Sequence, residues 1–242
     1  MINYLKADFY RIFNKTSLYI FFSILLIIFL FLVLIKIMPI KAGSILQNGL
    51  IIFEMLLIIG GGFLFTAIYN DDLTSKSLPQ LIGFGKKRTL IVVSKLVVNI
   101  VISGLVYTGA FIVFYLIINI FGVNVNFETI GELIKIALNS LFRLYAYSII
   151  ASIIAYGTQK ATISIVSYVI LATGFIDQIL SLLLGRIEGM VDGLFLNKYT
   201  ILQITDEMVS NPSISAIIPY LIALMVFITL SIIAFRKKDL EF

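Results

Sequence analysis

Apolar residues dominate six long stretches of the chain, over residues 18–35, 50–69, 96–121, 130–156, 161–184 and 214–235, separated by short polar pieces. A bilayer core ~30 Å thick needs roughly 20 apolar residues in a helix, and each stretch supplies about that length. The pattern predicts an all-α membrane protein with six transmembrane helices. Six helices of about 22 residues and their loops use nearly all of the 242 residues, so a single membrane domain over residues 1–242 is expected. An even number of spans puts both termini on one side. The first apolar run is longer than a signal h-region, and no small-residue cleavage site follows it before Pro39, so it is read as a retained span.

The polar pieces carry patterns of their own. In residues 2–15, Ile2, Leu5, Phe9, Ile12 and Phe13 recur at helical spacing, while Lys6, Asp8, Arg11 and Lys15 fall away from that stripe. This predicts a short amphipathic helix lying flat at the inner interface, an elbow leading into the first span. Residues 70–88 read NDDLTSKSLPQLIGFGKKR. Leu73, Leu78, Leu81, Ile82 and Phe84 form an apolar set inside this loop, and Gly83 and Gly85 end it ahead of a basic cluster. A two-turn helix exposing Leu and Phe is either an element that buries in a protein groove or a loop touching the membrane surface. Residues 185–211 form the largest piece on the other side, and their composition fits either short capping helices or a lid.

Charge sets the orientation. Lys6, Arg11, Lys15, Lys76, Lys86, Lys87, Arg88, Lys95, Lys160, Arg236, Lys237 and Lys238 fall on one side. Lys36, Lys41, Arg186 and Lys198 fall on the other, with Lys135 and Arg143 inside the fourth span. The positive-inside rule then makes both termini cytoplasmic and residues 185–211 extracellular. The net charge of +5 reads as topology rather than nucleic-acid binding. Sixty per cent of residues are hydrophobic and mean hydropathy is +1.09.

With no cysteine and no histidine, thiol nucleophiles, disulfides, the usual zinc sites and His-based general base chemistry are excluded. Gly83-Phe84-Gly85-Lys86 lacks the spacing and hydroxyl of a phosphate-cradling loop, so ATP binding of that kind is not expected. An intramembrane aspartyl protease would need two membrane acids of that type, and only Asp177 lies within a span. The chain is expected to perform no covalent chemistry and to bind no cofactor. Gly60-Gly61-Gly62 inside the second span reads as a site of close packing or kinking.

Glu54, Asp177, Lys135 and Arg143 are the charges within spans. A charge near the bilayer centre costs at least ~2.5–3.5 kcal/mol, so each is expected to face protein or water. Lys135, Asn139, Arg143 and Tyr147 are spaced four apart and share one helix face, which Glu128 and Glu132 extend outward. At ~1.5 Å per residue, Asp177 lies roughly 12 Å deep, Glu54 6–9 Å, Arg143 15–20 Å and Lys135 5–8 Å. Depth therefore pairs Arg143 with Asp177 and Lys135 with Glu54. The row is read as either structural ion bridges or the polar wall of a transport path.

The order of these features resembles the permease subunit of an ABC transporter of the ABC-2 type. The resemblance covers the whole chain. It rests on the N-terminal MINYLKADFYRIFNK, six spans with both ends inside, the loop DDLTSKSLPQLIGFGKKRTLIVVSK, the long external connection before the last span and the terminal FRKKDLEF. It implies that residues 72–84 form a coupling helix docking on a cytoplasmic ATPase, preceded by Asp71 or Asp72 and followed by Arg88 and Lys95. Leu78, Leu81, Ile82 and Phe84 would make the contact. It also implies a second permease copy or sister permease, with ATP and Mg held by the partner ATPases. Residues 185–211 are mixed and partly charged, unlike the strongly apolar half-helices of larger members. The small size and the Ile- and Lys-rich, Trp-free composition resemble permeases of low-GC Gram-positive bacteria. Many of those move antimicrobial or amphipathic peptides, as in lantibiotic self-immunity, from the bacterial plasma membrane. The alternatives are a secondary transporter using Glu54 or Asp177 as a proton relay, and a non-transport scaffold or sensor partner.

Overall fold

The computed structural model describes residues 2–34, 44–74, 81–83, 85, 87–121, 123, 125–188 and 197–237. Among them every regular element is helical. In chain order, α1 is Ile2–Phe13, α2 is Thr16–Leu34, α3 is Ile45–Leu73, α4 is Arg88–Ile120 and α5 is Phe127–Thr158. Then come α6 at Ala161–Ala172, α7 at Phe175–Glu188, α8 at Ile201–Ser210 and α9 at Ile214–Lys237.

Among the described residues α3, α4, α5 and α9 are each long and apolar enough to cross a membrane, and the pair α6 and α7 makes a fifth crossing if taken together. These lengths are compatible with a multi-pass membrane protein. The helices run past their apolar stretches into polar sequence: α4 starts at Arg88 and α5 at Phe127, because a helix keeps its backbone bonded whether lipid or water surrounds its side chains.

The expected unbroken fifth span, residues 161–184, is two helices. Gly174 takes φ +70°, and α6 and α7 meet at a 57° bend. Glycine has no Cβ to oppose a left-handed backbone, so the chain turns there at little cost.

The organising element is α5, which packs against α3, α4, α6, α8 and α9. Small residues allow this: Ala137, Ser140, Ser148, Ala151, Ser152 and Ala155 are all buried along it. Ser152 and Ser231 meet at 3.0 Å between α5 and α9, and the Tyr220 hydroxyl of α9 donates to the Phe142 carbonyl at 2.9 Å. Two π-helical turns, Leu56–Gly60 and Thr66–Asn70, interrupt α3. The Tyr168 hydroxyl of α6 donates to the Leu57 carbonyl at 2.7 Å, and an ideal Cβ on Gly61 would stand 1.9 Å from that hydroxyl. The glycine triplet is thus where α6 closes onto α3.

Candidate functional site

Three features of the bundle carry chemistry. The first lies at the end where α1 meets α3 and α4. Lys95, the residue just before the apolar run at 96–121, is 1% exposed. Its ammonium sits 2.9 Å from Asp8 Oδ2 on α1 and 2.5 Å from Asp72 Oδ2 at the end of α3. Asp8 and Asp72 are themselves buried. The Arg11 guanidinium donates to Asp72, lies 3.5 Å from Asp8 and reaches the Ala67 carbonyl at 3.4 Å. Two cations therefore balance two buried anions, the condition under which a buried ionic group is tolerated. Beside them the Lys15 ammonium donates to Asp71 at 2.6 Å. The Tyr4 ring lies 5.9 Å from Lys95, and burial together with the Asp8 and Asp72 carboxylates pushes its phenol well above the usual range.

α1 is not the simple two-faced interfacial helix that its apolar stripe predicts, because two of the polar residues set apart from that stripe are engaged in the bundle. Asp8 and Arg11 face the bundle with Leu5, Phe9 and Ile12, while Tyr10 and Phe13 are exposed. The sequence held one signal for the ion cluster: apart from the terminal segment, Asp8, Asp71 and Asp72 are the acids of a strongly basic end.

The second feature is the row along α5. Three successive turns reach three different helices. Asn139 donates to Asp206 of α8, the Arg143 guanidinium donates to Glu54 of α3 at 2.5 Å, and the Tyr147 hydroxyl donates to Asp177 of α7. Asp177 and Arg143 are 6% and 7% exposed. The pairing expected from depth is therefore replaced: Arg143 takes Glu54, and Asp177 takes Tyr147. Lys135 pairs with Glu132 on its own helix, 2.7 Å away and nearly half exposed. One contact and one bend explain the exchange. The Ser140 hydroxyl donates to the Phe53 carbonyl at 2.7 Å, so α3 crosses α5 at residue 140 and Glu54 is level with Arg143, not Lys135. The bend at Gly174 carries Asp177, in the first turn of α7, to Tyr147. Lys135 keeps its hydration, which a buried ammonium would lose. Tyr107 adds a hydrogen bond to Ser140 at 3.0 Å, tying α4 into the crossing.

The third feature is a cavity of about 390 Å³ between α2, α3 and α4. Among its lining residues only Tyr19 and Ser23 carry polar side-chain atoms.

Of the residues expected to meet an ATPase, Leu78 and Phe84 lie outside the described residues. Leu81 and Ile82 are part-buried and pack against the core. Asp71 and Asp72 are engaged as above. Arg88 donates to the carbonyls of Phe235 and Arg236 at 2.8 and 2.9 Å, closing the end of α9, and stacks over the Phe235 ring. Of residues 185–211, the end of α7 at residues 185–188 and residues 197–211, with the turn Asn197–Tyr199 and α8, are described, and α8 packs on α5 and α9. Among the described residues no group of three carboxylate, Cys or His side chains is placed to hold a metal ion.

No protein-family model matches the chain, and no curated protein sequence matches it.

Proposed function

We propose that this chain is the membrane-spanning permease subunit of an ATP-driven exporter, with α2 as a further span and six spans in all. On this reading both termini and the α1 end are cytoplasmic, since the basic residues concentrate there. Two ATPase subunits dock beneath residues 72–84, and a second copy or sister permease completes the transporter. The cargo is an amphipathic or antimicrobial peptide or another hydrophobic compound, a choice that rests on the ABC-2 resemblance. Hydrolysis belongs to the partner.

One observation carries this reading. The buried Asp8, Asp72 and Lys95, with Arg11, tie together α1, the point where the chain leaves α3 towards residues 75–80, and the start of α4. A pull on the segment after Asp72 is passed directly to the helix that leads into α2. A plain loop between two spans needs no such rigid attachment. The double variant Leu81→Asp with Phe84→Asp tests it: the folded fraction, isolated by gel filtration because Leu81 also packs against the core, should lose both ATPase binding and ATPase stimulation. An intact, stimulated complex would remove residues 81–84 from the docking role.

A second reading, a carrier with a proton relay, draws on the α5 row, where Glu54 contacts Arg143 and Asp177 contacts the neighbouring Tyr147. Uptake into vesicles driven by a pH gradient, without any ATPase, would favour it.

A further inference from the structure

The cavity between α2, α3 and α4 is formed by Phe22 and Leu26 on α2, Leu56 on α3, and Val106, Gly109 and Phe114 on α4. An ideal Cβ on Gly109 would meet no heavy atom within 4 Å, so packing does not close this wall. Leu105 of the lining is 55% exposed, and Ile24 and Ile112, near lining residues along α2 and α4, are 50% and 52% exposed. The helix surface beside the cavity, on α2 and α4, is therefore apolar and open.

We propose that this cavity binds one acyl chain of a membrane phospholipid. This rests on reading these helices as membrane spans and is independent of any ATPase. The volume falls within the ~300–1,000 Å³ range of ligand pockets, and an apolar hole of even ~150 Å³ stays dry and takes apolar guests. Left empty, its lining forfeits dispersion contacts along three helices. The shape selects a chain. From Leu105 to Phe114 the wall rises about 13 Å along α4, close to half of the ~30 Å hydrocarbon core. A helix from a second copy, ~10 Å across with side chains, does not fit a space of this volume. Tyr19 and Ser23, both from the first half of α2, bring the lining its two hydroxyl-bearing side chains.

The chain contains no tryptophan, so a single introduced indole reports its own position. Phe114→Trp, inside the cavity, and Ile112→Trp, a control on the open flank, are reconstituted separately into vesicles of phosphatidylcholine brominated on its acyl chains. Fluorescence of both should be quenched relative to unbrominated vesicles. Filling the cavity with Gly109→Phe, or with the smaller Ala110→Leu, should abolish quenching of the reporter at position 114. Quenching of the reporter at position 112 should be unchanged, which also shows that the filled variants are inserted. An unquenched reporter at position 114 beside a quenched one at position 112 would overturn the proposal. Quenching at position 114 that is indifferent to both fillers would overturn it too. Protection at position 114 together with a cross-link between copies through Phe22→Cys would assign the cavity to a neighbouring chain instead.

Discussion

Lys95 and Asp8, 87 residues apart, form an ion pair with the ammonium 2.9 Å from Asp8 Oδ2, and neither side chain is open to solvent. The pair fixes α1 against α4, and Asp72 on the other side of the ammonium adds α3. Burying ions in this way contributes little to stability alone, since well-packed apolar residues often do as well. What the cluster does in the fold is join α1, α3 and α4 at one end of the bundle.

Removing one member should destabilise strongly, while removing a balanced pair should not. Lys95→Met leaves Asp8 and Asp72 with Arg11 alone and is expected to cost about 3–5 kcal/mol. Adding Asp8→Asn leaves Asp72 paired with Arg11 and should recover a large part of that loss. Thermal unfolding in detergent, compared across wild type and the two variants, reads both effects. A double variant no more stable than Lys95→Met would refute charge balance as the organising principle of this joint.

The α5 row gives a test of pairing. Arg143→Glu strands Glu54 beside a second carboxylate and should abolish accumulation of folded protein. The exchange Arg143→Glu with Glu54→Arg should restore it. Arg143→Asp with Asp177→Arg should not, because Asp177 takes its hydrogen bond from Tyr147 and Arg143 gives its own to Glu54. Expression and monodispersity on gel filtration decide between the two exchanges.

Gly61 and Tyr168 should be coupled. A methyl group on Gly61 forces the Tyr168 hydroxyl from the Leu57 carbonyl, so Gly61→Ala is expected to destabilise by about 1–3 kcal/mol. Tyr168→Phe alone leaves that carbonyl without its hydroxyl partner, at about 1–3 kcal/mol. The double variant should lose less than the two single losses added, since the hydroxyl that clashes is gone. A strictly additive double variant in thermal unfolding would contradict the contact.

The Tyr4 phenol predicts an alkaline signature. Its ionisation is raised in the folded chain from the ordinary 10.0, so its contribution to folding is fully present below about pH 10 and is lost as pH rises further. Wild type should therefore lose stability faster than Tyr4→Phe between about pH 10 and 11.5, and the two should run parallel below about pH 9. Parallel curves throughout would mean that Tyr4 is solvated.

The helical content and the positions of the apolar helices were legible in the sequence because membrane burial demands long apolar runs, whatever their neighbours do. The four-residue row on α5 was legible for the same kind of reason, since helical spacing alone puts Asn139, Arg143 and Tyr147 on one face. Their partners were not. Partner choice depends on where α3 crosses α5, set by Ser140 and Phe53, and on the bend at Gly174, and neither is a local property. By charge Lys95 reads as a basic residue of the loop side, and by the resemblance as one that follows the coupling helix. That it is buried follows only once α1 folds back and delivers Asp8, a contact between distant parts of the chain.

The most direct measurement is purification of the natively expressed chain through a mild affinity tag, followed by assay of ATP hydrolysis and a structure of whatever accompanies it. The expected result is a nucleotide-hydrolysing subunit seated against residues 72–84, lost when Leu81 and Phe84 are both replaced by Asp. A chain that purifies without any such subunit, and still moves cargo across reconstituted vesicles, would contradict the permease reading.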